Sequence, residues 1–114
     1  MEEAAVYVRG RRIELDESGH LLNLGDWNEE VAERFAEEEG VELIEEHWEI
    51  INFVRGYYQE FKFSPSYKVL IKGLAQKFGH DRYDGAYLYG LFPDGPARQS
   101  SRIAGLPKPC GCCG

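Results

Sequence analysis

The chain has 114 residues, a formal net charge of −7, 43% hydrophobic and 13% aromatic side chains, which suits one modest domain and excludes a disordered chain. No apolar run approaches the roughly 20 residues needed to span a bilayer. The stretch from Met1 to Arg12 has no apolar h-region, so no secretory signal is expected and the cytoplasm is the expected compartment.

Val6-Tyr7-Val8 and Arg12-Ile13-Glu14-Leu15 flank Arg9-Gly10-Arg11 as a short β-hairpin, and Asp16 to His20 form a second turn-like cluster. Asp26 then fits a helix N-cap with Glu29 at N3. Val31, Ala32, Phe35 and Ala36 make the apolar stripe of that helix, and Gly40 stops it. The longest helical pattern runs from Glu42 to Phe61, with Ile44, Trp48, Ile51, Val54, Tyr58 and Phe61 on one face. Ser64-Pro65 opens a third helix, buried through Val69, Leu70, Leu74 and Phe78 and ended by Gly79. Asp84 caps a short helix that holds Tyr87, Leu88, Leu91 and Phe92 and ends at Pro93. Pro96 to Ile103 make a last helix with Gly105 as its stop. The predicted fold is mainly α: a small orthogonal helical bundle, residues 1–105, with an N-terminal β-hairpin and a flexible C-terminal arm, residues 106–114. Beyond Gly105 the one large apolar side chain is Leu106, too little to offset an ordering cost of about 1–2 kcal/mol per residue, so a mobile arm is expected.

All three cysteines, Cys110, Cys112 and Cys113, lie in the last five residues, after the stiff Leu106-Pro107-Lys108-Pro109 spacer. Cysteines used as small core hydrophobes would be scattered among apolar positions. Here they occupy a chain end, flanked by glycines that leave little bulk to block another sulfur. The pattern reads as a thiol carried on an arm, against the plainer reading of a tail with incidental cysteines. Charge supports the first. Residues 1–60 hold 17 acidic and 5 basic side chains, whereas residues 61–114 hold 3 and 8. From Gly95 onward the charged residues are Arg98, Arg102 and Lys108, and nearby positive charge favours thiolate over thiol.

Other chemistry fits less well. A closed zinc site needs four ligands and the tail supplies three without a histidine, so no metal and no other cofactor is expected. Cys110 and Cys113 have C-x-x-C spacing, but no helix follows to lower a thiol pKa. His47 is expected at the surface of the long helix in a structural role, and His20 and His80 fall in turns. Ser100 and Ser101 lack the G-x-S-x-G elbow of a hydrolase. Lys68, Lys72 and Lys77 give the third helix a basic side, which leaves DNA docking as a competing class, although an acidic body makes direct nucleic-acid binding unexpected.

Four blocks carry a resemblance: Trp27-Asn28-Glu29-Glu30-Val31-Ala32, Glu45-Glu46-His47-Trp48-Glu49, Leu91 to Gln99, and Arg102-Ile103-Ala104-Gly105-Leu106-Pro107-Lys108-Pro109. The chain resembles the DsrC/TusE/DsvC family over nearly its whole length. The resemblance implies a small helical fold with a mobile C-terminal arm that carries sulfur as a cysteine persulfide or trisulfide. It puts the persulfide on Cys112, with Cys110 and Cys113 as candidate resolving thiols and Arg98, Arg102 and Lys108 in support. Members that partner sulfite reductase have a second cysteine where this chain has Ser101, and a serine forms no disulfide. That implies the TusE-type branch, a relay component in tRNA 2-thiouridine synthesis, working with a TusBCD/DsrEFH-like donor and a tRNA thiolase or sulfite-reductase-like acceptor. A carrier of this kind acts with partner enzymes and is not a self-sufficient catalyst. The alternatives are a DsrC-like partner of dissimilatory sulfite reductase in which Cys110 or Cys113 replaces the thiol missing at 101, and a family-derived DNA-binding regulator.

Overall fold

The computed structural model describes residues 5–79 and 81–109. Strands β1 (Ala5–Val8) and β2 (Arg11–Glu14) pair antiparallel, with Val6 opposite Ile13 and Val8 opposite Arg11. Arg9 and Gly10 both have positive φ, the geometry of a two-residue turn that matches strand twist. The Asp16 carboxylate accepts from the backbone N–H of Ser18 (2.8 Å) and His20 (2.9 Å) and folds the following loop back on the hairpin. A 3-10 turn, Leu24–Asp26, leads into the helices α1 (Glu29–Glu39), α2 (Glu45–Phe61), α3 (Tyr67–Phe78), α4 (Gly85–Leu91) and α5 (Pro96–Ile103). The order and class are those expected: five helices and an N-terminal hairpin. Among the described residues no helix is long and apolar enough to cross a membrane.

Four local expectations are corrected. Asn28, not Asp26, caps α1, its side chain accepting from Val31 N–H at 2.9 Å, because Asp26 closes the 3-10 turn and Trp27 is extended. Ser66, not Ser64, caps α3, and the Ser64 hydroxyl is turned toward the C-terminal segment. The long helix starts at Glu45, where Nδ1 of His47 accepts the Ile44 N–H at 3.1 Å. His47 is therefore buried, not at the surface. It bridges α2 to α4 through its other ring nitrogen and the Leu91 carbonyl (2.8 Å), edge-on to Phe92.

The core gathers Val31, Ala32 and Phe35 of α1, Ile50, Ile51 and Val54 of α2, Leu70 and Leu74 of α3, Leu88 of α4 and Ile103 of α5. Each large side chain among these contributes about 1.5–3 kcal/mol relative to exposure. Ile44 and Phe61, expected on the buried face of α2, lie at its two ends and are about half exposed. Helix α5 packs against all four other helices. Seven of its eight residues are buried although its sequence is mostly polar, and Arg98 is the exception.

Candidate functional site

Cys110, Gly111, Cys112, Cys113 and Gly114 lie outside the described residues, as does His80. The structure describes what they grow from. Helix α5 ends in a Schellman turn: Leu106 N–H donates to the Ser101 carbonyl (2.9 Å) and Gly105 N–H to that of Arg102 (3.0 Å), with Gly105 at φ 75°. Gly105 is required there for a second reason. A Cβ on it would sit 2.3 Å from Cδ1 of Trp27. The same indole carries the Arg55 guanidinium, 3.9 Å from the ring centroid.

The backbone carbonyls that follow are met by side chains from elsewhere in the chain. Trp27 Nε1 donates to Ile103 O at 2.9 Å and Arg55 Nη1 to Ala104 O at 2.7 Å. His20 Nδ1 lies 3.0 Å from Leu106 O, so this nitrogen carries the proton and donates. Ser64 Oγ donates to Pro107 O at 2.6 Å. His20 is buried, and burial pushes its pKa below the ordinary value against the raising effects of the Leu106 carbonyl and Asp16. Leu106 and Pro109 are buried, Pro107 is half-buried and Lys108 is exposed. Residues 106–109 are seated on the bundle, because backbone carbonyls supply anchoring that a count of apolar side chains overlooks.

The cations named from sequence part company. Arg102 is nearly buried, its guanidinium over the Phe35 ring at 4.6 Å from the centroid. It bonds Glu38 (2.6 Å), Glu39 (2.8 Å) and the Gly19 carbonyl (2.8 Å). Arg98 pairs with both carboxylate oxygens of Glu39 (3.2 and 2.9 Å), and the Gln99 amide donates to the same group. Burial pushes the Glu39 pKa up, but the hydrogen bonds from Arg98, Gln99 and Arg102 outweigh it and hold it down at about 2. These two arginines tie α5 to α1. Lys108 alone of the three is an exposed cation without an ion pair among the described residues.

Ser101 is fully buried on α5, and its hydroxyl has no hydrogen-bond partner among the described residues. A buried hydroxyl left unmatched costs about 1–3 kcal/mol, a penalty that a weakly polar thiol or a methyl group would reduce. A groove between α2 and α3 is lined by Phe53, Tyr57, Phe61, Val69 and Lys72, and no residue from 103 to 109 borders it. Trp27 and Gly105 stand within the sequence blocks quoted above, but His20, Arg55 and Ser64 carry no local signal of their role. Their partners lie 86, 49 and 43 residues away.

The description "DsrC like protein" belongs to the family model that matches residues 7–113. A sulfurtransferase TusE of Yersinia pseudotuberculosis is 52% identical over 103 residues, covering 90% of this chain and 95% of the relative. The Escherichia coli sulfurtransferase TusE is 48% identical, covering 90% and 94%. Among solved structures, Allochromatium vinosum DsrC superposes with a TM-score of 0.88 at 47% identity, covering 97% of this chain and 99% of that one. The oxidised gamma-subunit of the dissimilatory sulfite reductase from Archaeoglobus fulgidus gives 0.83 at 40% identity, covering 96% and 99%. The chain belongs to the DsrC-like family.

Proposed function

We propose that this member of the family is a sulfur carrier of the TusE type, holding sulfur as a persulfide on Cys112. The observation that carries the reading is the extent of the family match. It runs to residue 113 and so includes the cysteine-bearing tail. The names of the relatives at about half identity point the same way.

The step is a thiol exchange on sulfane sulfur. Cys112 loses its proton, and the thiolate attacks the outer sulfur of a donor persulfide. The donor's S–S bond breaks, its thiolate leaves with the bonding pair and takes up a proton, and Cys112 now bears the extra sulfur. No net oxidation occurs. The acceptor repeats the step on Cys112. Lys108, the exposed cation nearest in sequence, favours the Cys112 thiolate, an effect that solvent exposure weakens. Arg98 and Arg102 support the site through α5 instead, since their charge is spent on Glu38 and Glu39. The donor is a TusBCD/DsrEFH-like protein and the acceptor a tRNA thiolase, in the reducing cytoplasm. Serine at 101 supports this branch over a sulfite-reductase partner, which would need a second thiol there.

Mass spectrometry after incubation with glutathione persulfide tests the proposal. One added sulfur atom is expected in the parent, none in Cys112→Ser, and a smaller reduction in Cys110→Ser. An unchanged yield in Cys112→Ser would move the role to a neighbouring cysteine.

A further inference from the structure

We infer that Trp27, Arg55, His20 and Ser64 are positioning residues for sulfur transfer, which together fix the point from which Cys112 is presented. The inference rests on Cys112 being the carrier. The geometry stands without it.

The last carbonyls of a helix usually find water or a single local cap. Here the carbonyls of residues 103, 104, 106 and 107 are each met by a separate side chain. One donor comes from the loop after the hairpin, one from the entry to α1, one from α2 and one from the α2–α3 connection. Three of these donors are 43 to 86 residues distant in sequence, and the fourth, Trp27, is 76 residues away. Each such bond is directional, and four of them along five residues pin a backbone path, not merely an end. Trp27 acts twice, since its ring also closes on Gly105 and is covered by Arg55.

The consequence is a short tether. Cys112 is three residues beyond Pro109, so their Cα atoms can be at most about 11 Å apart. A partner must bring its own thiol to that small volume, and the bundle surface around Lys108 dictates its approach. If the carbonyl donors were lost, the last fixed point would retreat toward Ile103 and the tether would lengthen from three residues to nine. For a flexible chain the volume searched then grows with the 3/2 power of length, diluting the thiol about fivefold.

The test uses the full chain with Cys110→Ser and Cys113→Ser, a spin label on Cys112 and a second on α2 through Gln59→Cys, an exposed position. Pulsed electron–electron resonance reads the distance distribution. Ser64→Ala combined with Trp27→Phe, which keeps an aromatic ring against Gly105, is expected to widen it about twofold, and Ser64→Thr to retain the parent width. A width unchanged in the combined variant, with only a lower melting temperature, would make these residues structural and overturn the inference. Ser64→Ala alone leaves every core side chain in place and carries the same comparison if the combined variant does not fold. Loading by glutathione persulfide, a small reagent indifferent to approach, is measured alongside on unlabelled variants. Its failure in the parent would sink the carrier reading while leaving the distance result to decide the positioning.

Discussion

Helices α2 and α5 are held in the bundle by opposite routes. In α2 the apolar residues Ile50, Ile51 and Val54 fall on one face at helical spacing, and burial of that face holds the helix in place. In α5, Gln99, Ser100, Ser101 and Arg102 are all buried, and side-chain hydrogen bonds and ion pairs hold what apolar area cannot. The contrast bears on function, because α5 carries the root of the cysteine tail. An apolar face tolerates small shifts of its neighbours. A set of directional bonds fixes an orientation. The helix from which the cysteine-bearing residues continue is built in the second way.

The largest effect is expected at the hinge between α5 and the seated segment. Gly105→Val introduces a β-branched side chain at φ 75° and drives its Cβ into the Trp27 ring. The backbone penalty of about 1–2 kcal/mol and overpacking of about 1–3 kcal/mol together predict a loss of about 4 kcal/mol in a urea titration. Ile51→Ala in α2 removes a fully buried side chain and is expected to cost about 3 kcal/mol by the cavity route. The two variants should then differ in kind. Amide exchange at Leu106 should accelerate in Gly105→Val well beyond what its global stability explains, and in Ile51→Ala only in proportion to it. Equal acceleration per unit of lost stability would erase the distinction between the two helices.

The same contrast explains what could be read in the sequence. The stripe of α1, the buried face of α2, the Asp84 cap of α4 and the Gly105 stop are local signals, and each is present. Ser64-Pro65 has the cap-and-N1 pattern and so places the cap of α3 two residues early; Ser66 caps instead, and Ser64 is spent on Pro107, 43 positions away. His47 looked like a surface residue because periodicity says nothing of a ring that accepts from Ile44 N–H with one nitrogen and meets the Leu91 carbonyl with the other. The seat of residues 106–109 was not legible, since carbonyl acceptors have no sequence signature and their donors are scattered from residue 20 to residue 64.

A smaller effect is expected from the carboxylate that joins α5 to α1. Glu39 sits in the last turn of α1, where the helix dipole disfavours a negative charge, and the arginines of α5 reverse that preference. Its pKa is about 2 folded against 4.5 for the unperturbed group, so the unfolded chain binds the proton first as pH falls. The stabilisation is complete above pH 4.5 and is lost as pH drops through about 2. Allowing for solvent screening, it amounts to about 2 kcal/mol. Urea titrations from about pH 6 to about pH 2 should show a fall in stability that is shallower by this amount in Glu39→Gln. An identical acid slope in the variant would mean that Arg98 and Arg102 gain nothing from the charge on Glu39.

The smallest change in stability is expected at Ser101, where α5 breaks its own rule by burying a hydroxyl without a partner among the described residues. Removing that hydroxyl removes a polar group that water would otherwise have solvated. Ser101→Ala should therefore leave stability unchanged or raise it by up to about 1 kcal/mol, whereas an ordinary serine in a satisfied network would lose a similar amount. Ser101→Cys sharpens the same point. In a chain with Cys110→Ser and Cys113→Ser, the new thiol is enclosed by the bundle, so iodoacetamide can reach it only through a local opening, whereas Cys112 serves as the reference thiol. An alkylation rate at least on the order of 100-fold slower than that of Cys112 is expected. Under mild oxidant, a disulfide between 101 and 112 should form no faster than that opening, and it should form faster when Ser64→Ala loosens the seated segment. Alkylation of both cysteines at one rate would place residue 101 at the surface, and the polar construction of α5 would then end one turn before the segment it is supposed to hold.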